Sequence, residues 1–91
     1  MWGEGISAEV ERQLLEILKE AIEKEKDSQE HFQRGVDLST HLEIRGMFLQ
    51  LLAEEKQHER LLMKRYVEIK KRLGLKVMRE EEEAAGEQST E

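Results

Sequence analysis

The 91-residue chain contains no cysteine, which excludes disulfides, thiolate zinc sites, rubredoxin-type iron centres and cysteine nucleophiles. It contains no proline either, so nothing in it forces a break into a long helix. Aromatic residues are scarce at one Trp, one Tyr and two Phe, leaving little on which nucleic-acid bases could stack. No apolar run approaches the roughly 20 residues of a membrane span. The opening Met1-Trp2-Gly3-Glu4-Gly5 has neither the basic start nor the apolar core of a signal peptide. The expectation is a soluble, cytoplasmic protein with no nucleic-acid and no membrane partner.

What is present is charge and helical periodicity. Charged residues make up 40% of the chain and hydrophobic ones 37%, in one domain divided into two long helical patterns. A lone helical hairpin of this composition buries one seam only and has too little apolar area to offset its conformational entropy. Self-association is therefore expected, with two hairpins forming a four-helix bundle. The net charge of −6 is uneven: residues 7–36 carry −3, residues 40–73 carry +3 and residues 74–91 carry −4, with Glu4 and Asp37 completing the total. Opposite signs favour pairing of the two helices. The basic cluster Lys64-Arg65 and Lys70-Lys71-Arg72 suits a helix C-terminus better than a nucleic-acid patch in an acidic chain.

Residues 1–6 read as an N-terminal tail and residues 7–74 as the hairpin, with helices over 7–36 and 40–73. Ser7 is the expected N-cap, with Glu9 and Glu11 in the first turn. Gly35 and Asp37-Leu38-Ser39 supply the break, Thr40-His41-Leu42-Glu43 reads as a capping box, and Gly74 terminates the second helix. Residues 75–91 read as an acidic tail, a short helix or disordered.

On the second helix, Ile44, Phe48, Leu51, Glu55, His58, Leu62, Tyr66, Ile69 and Leu73 follow steps of four and three, the period of one face. On the first, Leu14, Leu18, Ala21, Glu25, Ser28 and Phe32 do the same. Both stripes are expected to face inward, so each aims a carboxylate into the bundle, an arrangement costing several kcal/mol unless something positive compensates it. A metal ion is one compensator. Measured from the turn, Glu25 and Glu55 differ in height by three residues, roughly 4.5 Å, which side chains can span. Glu25, Glu55 and His58 are thus the candidate metal ligands and catalytic residues. A two-fold dimer doubles them to four carboxylates and two imidazoles, the dinuclear set of the ferritin-like fold. Hard oxygen donors with one nitrogen per metal suit Fe(II) or Mn(II), with Zn(II) as a substitute.

The run Ala21-Ile22-x-x-Glu25 with Phe32 seven residues on, followed by Leu52-Ala53-Glu54-Glu55-Lys56-Gln57-His58, resembles the rubrerythrin branch of the ferritin-like superfamily in its single-hairpin form. The thirty-residue interval from Glu25 to Glu55 is similar to that of the encapsulated ferritins, and the resemblance covers about residues 10–73. It implies an all-α hairpin that dimerises into a ferritin-like four-helix bundle, di-iron at the homodimer interface, and further assembly into a ring. It also implies ferroxidase activity, oxidising Fe(II) to Fe(III) for iron storage inside an encapsulin shell. Phe32 stands where many relatives have Tyr, and the acidic tail carries no evident apolar shell-targeting peptide.

Other readings stand beside this one. Glu25 could be a boundary residue reaching solvent, and Glu55 with His58 a self-satisfied salt bridge setting register in a metal-free dimeric interaction module. A peroxide-reducing di-iron protein shares the fold, but the usual cysteine-ligated electron carrier is absent. His31 and His41 read as solvated and Tyr66 as core. Asp27, Glu30, Glu54 and Glu59 read as a solvated face or an acidic approach to the centre; Glu20–Lys24, Glu30–Arg34 and Glu68–Arg72 are the i,i+4 pairs of such a face.

Overall fold

The computed structural model describes residues 7–86 and contains three α-helices, α1 (Ala8–Leu38), α2 (Leu42–Arg72) and α3 (Arg79–Gly86), with no strand among the described residues. The tail expected over 1–6 and the last part of the tail expected over 75–91 lie outside the described residues. α1 and α2 have 31 residues each, about 47 Å of helix, and run antiparallel. The molecule is accordingly a rod, 51 × 27 × 23 Å.

α1 starts where its sequence signals place it: the Val10 N–H donates to Ser7 Oγ at 3.2 Å, satisfying one of the orphan donors of the first turn. It does not stop at Gly35. The helix continues to Leu38, and Gly35 serves a different purpose, because a Cβ there would lie 2.7 Å from the Phe48 ring. This glycine lets α1 and α2 approach closely beside the turn rather than breaking the helix. The capping box is not formed either: the N-cap of α2 is His41, which makes no side-chain capping bond. The turn is held instead by Ser39 Oγ donating to the His41 carbonyl at 3.1 Å and by Arg45 Nε reaching the Val36 carbonyl at 3.4 Å. α2 ends at Arg72 in a Schellman motif, with Gly74 at φ 73°. There the Gly74 N–H bonds to the Lys71 carbonyl at 3.1 Å and the Leu75 N–H to the Lys70 carbonyl at 2.8 Å.

The acidic segment after Gly74 folds back as α3. Its Ala85 joins Ile22, Met63, Tyr66 and Val67 in the core cluster, with Leu15, Leu18, Leu62, Val77 and Ala84 packed around it. On α1 the buried residues are Glu11, Ile22 and Val36, none of them in the expected stripe, whose Leu14, Leu18, Ala21, Glu25, Ser28 and Phe32 are all half-buried. On α2 only Tyr66 and Ile69 of the expected stripe are buried, joined by Leu52, Met63 and Val67. Helical spacing puts exposed Val10 and Ile17 of α1, and Ile44, Met47 and Leu61 of α2, on the side turned away from α3.

Candidate metal centre

Glu25 lies midway along α1, and Glu55 and His58 lie midway along α2, one helical step apart on the same face. The two elements bring all three together: each offers one ligand atom, and these atoms lie within 4.8 Å of one another. The three-residue height difference between Glu25 and Glu55 is absorbed by the side chains.

His58 Nδ1 stands 3.6 Å from Glu55 Oε1 and 3.7 Å from Glu25 Oε2. Both separations exceed hydrogen-bond length. They fall within the range of about 3.0–4.2 Å that separates two donors sharing one ion at about 2.1 Å. Glu25 Oε1 is buried with no hydrogen-bond partner. An orphaned buried acceptor costs about 1–3 kcal/mol, more when charged, and a cation between the carboxylates removes that cost. Two carboxylate oxygens and an imidazole nitrogen form a hard donor set that fits Fe(II), Mn(II) or Zn(II).

Burial sorts the three. Glu25 and Glu55 keep 21% of their side-chain surface in solvent, whereas His58 keeps 59%. His58 is therefore not on the buried side of α2, as its place in the stripe implies; it sits on the open flank beside Leu61. Within one chain the carboxylates form the floor of the site and the imidazole its rim.

A second polar contact lies beside the triad at the same height, since Gln29 is one turn nearer the hairpin turn than Glu25 while Glu59 is one turn farther from it than Glu55. Gln29 Nε2 donates to Glu59 Oε1 at 2.6 Å, and Lys26 Nζ lies 4.0 Å from Glu59 Oε2, tying α1 to α2 next to the triad. Its signal was in the sequence, since Gln29 and Glu59 each follow a candidate ligand by four residues. These contacts engage both carboxylate oxygens of half-buried Glu59, so it does not belong with the exposed acids Asp27, Glu30 and Glu54. His31 is exposed and shares a 3.1 Å contact with Arg34 Nη2, and His41 is exposed at the turn; neither reaches the triad. Phe32 packs on Phe48 with ring centroids 6.2 Å apart. Tyr66 is buried in the core with Lys70 Nζ 5.0 Å above its ring. Glu68 is gripped by Arg65 at 3.1 Å, and Arg72 crosses to Glu11 at 3.5 Å. No family model, no curated protein and no solved structure matches the chain.

Proposed function

We propose that this chain is a ferritin-like iron-binding subunit, and that two copies join their open flanks so that Glu25, Glu55 and His58 of each complete a di-iron ferroxidase centre. The observation that carries this reading is the buried, unpartnered Glu25 Oε1 beside Glu55 and His58. A polar atom left unsatisfied in the middle of an otherwise regular helix pair is a cost without a structural return. One half-shell supplies three ligands, too few for two metals, and the exposed rim position of His58 fits completion by a second copy. Iron bound there supplies one-electron chemistry between Fe(II) and Fe(III), with dioxygen or peroxide as the acceptor. The chain's own part is to hold the carboxylates at fixed height, present the imidazole at the rim and cover the site with the apolar flank.

Aerobic addition of Fe(II) to the purified protein tests it. The expected result is a rise in ferric absorbance that Glu25→Ala and His58→Ala each abolish. Under anaerobic conditions, Mn(II) or Zn(II) at about a hundred times its Kd should add about 2.7 kcal/mol to the folded state. A metal-free interaction module, favoured by the proximity of His58 to both carboxylates, gives neither response.

A further inference from the structure

On the side away from the triad, α3 is held by a small and uneven set of contacts. Lys70 Nζ donates to Glu81 Oε1 at 3.0 Å and to Oε2 at 3.3 Å, and Lys71 Nζ donates to Glu82 Oε2 at 2.9 Å. The first pair is largely covered, with 15% and 21% of the two side chains exposed, and the second is open to solvent at 57% and 52%. The apolar part consists of short side chains, Val77, Ala84 and Ala85, against Ile22, Met63, Tyr66 and Val67.

Glu81 performs two tasks with one oxygen. Its Oε1 accepts from Lys70 and also from the Met78 N–H at 3.1 Å. Met78 precedes the first residue of α3 and its carbonyl accepts from the Glu82 N–H at 3.0 Å. The Glu81 contact is thus the reciprocal half of a capping box, from the third helical residue back to the cap. An eight-residue helix is too short to persist in water by itself. Its four successive acids, Glu80 to Glu83, also repel one another unless cations face them. The carboxylate that starts α3 is the one that docks it.

We propose that α3 is an ionic strap that folds as it docks and unfolds as it lifts, independently of the α1–α2 hairpin. In the closed state it packs on α2 over the core cluster of Met63, Tyr66 and Val67, which Ile22 joins from α1. In the open state this apolar surface is bared beside the freed Lys70 and Lys71, giving the hairpin a second, gated face opposite the flank that bears Val10, Ile17, Ile44, Met47 and Leu61. The latch is the Lys70–Glu81 contact, with Lys71–Glu82 assisting, and screening or neutralising these charges opens it. The strap makes no use of the metal centre, so its fate and that of the ferroxidase reading are separate.

Amide hydrogen exchange on the full chain tests this, comparing residues 79–86 with the interiors of α1 and α2 at about 0.02 M and about 1 M sodium chloride. Protection of α3 is expected to fall about tenfold at high salt, and by a similar factor at low salt in Glu81→Gln/Glu82→Gln, with hairpin amides unchanged. Ala85→Glu, which opposes docking on the apolar side, should remove α3 protection at both salt concentrations. α3 amides that exchange only together with the hairpin, or that keep their protection in 1 M salt and in the double variant, would overturn the proposal.

Discussion

Glu25 places stability and the proposed function in opposition within a single side chain. Its Oε1 has no partner while its Oε2 faces His58, so the metal-free protein carries a cost that a neutral residue avoids. Glu25→Leu is expected to raise the metal-free melting temperature, by about 4–8 °C for each kcal/mol recovered, and to eliminate any further rise on adding Mn(II). A thermal melt with and without metal checks both halves. Glu11 is the contrasting case: only 3% of it is exposed, and its carboxylate is paired with Arg72 at 3.5 Å across the open end of the hairpin. Removing one partner of a buried pair costs about 3–5 kcal/mol. Arg72 keeps a third of its side chain in water, so Glu11→Ala should cost less, about 1–3 kcal/mol. Glu9→Ala, at the exposed first-turn acid beside it, should cost under about 1 kcal/mol, and chemical denaturation separates the two. Sequence spacing found the triad because two acids and an imidazole interrupt apolar periodicity. It missed Glu11 because a first-turn acid already has a sufficient reason to be there in the helix dipole.

At the scale of elements, local chemistry was legible and cross-element chemistry was not. The Ser7 cap, the two long helices and the Gly74 stop depend on neighbours a few residues away, and they stand where the sequence puts them. Gly35 depends on Phe48, thirteen residues on in the other helix, so its role could not be read from the turn-like residues around it. Two glycines should therefore respond with opposite sign to the same substitution. Gly35→Ala drives a Cβ to 2.7 Å from the Phe48 ring and should destabilise by about 1–3 kcal/mol. Gly46→Ala, within α2 with nothing inside 4 Å of the new atom, should stabilise by about 0.5–1 kcal/mol. Equilibrium denaturation of both variants checks the contrast. α3 was ambiguous because its helicity comes from docking. Its pH response also has a definite sign. Burial acts to lower the Lys70 pKa, but the hydrogen bond to Glu81 and the charges of Tyr66 and Glu81 outweigh it, leaving the ammonium above its ordinary 10.5. A raised folded-state value favours the docked, charged form below the ordinary pKa, and that contribution is lost as pH rises through the folded value. Exchange protection of α3 should thus hold through neutral pH and fall on the alkaline side above 10.5.

The whole molecule is a rod with two unlike long faces, one closed by α3 and one bearing Val10, Ile17, Ile44, Met47 and Leu61 in solvent around the rim imidazole. The proposed iron chemistry calls for pairing through the open face, because the proposed dinuclear set needs the ligands of two chains. Native mass measurement should find a species of about 21 kDa, twice the 10.7 kDa chain. Ile17 and Leu61 are 59% and 53% exposed in the single chain. Covering such a side chain contributes about 1.5–3 kcal/mol at most, so Ile17→Lys or Leu61→Lys should weaken the dimer by about ten- to a hundredfold in Kd. Leu38 and Leu42 at the hairpin tip are more exposed still, at 82% and 83%, but they flank the turn and not the triad. Leu42→Lys should leave the dimer intact, which separates loss of a specific interface from a general gain in solubility. Metal and association must then be linked: if both half-shells hold the ions, Mn(II) tightens the dimer by the same factor by which dimerisation tightens Mn(II). Sedimentation of the Leu61→Lys variant with and without Mn(II) measures that factor, and partial recovery of the dimer by metal is the expected outcome. A dimer whose Kd ignores the metal would place the interface elsewhere and leave each triad to bind a single ion alone.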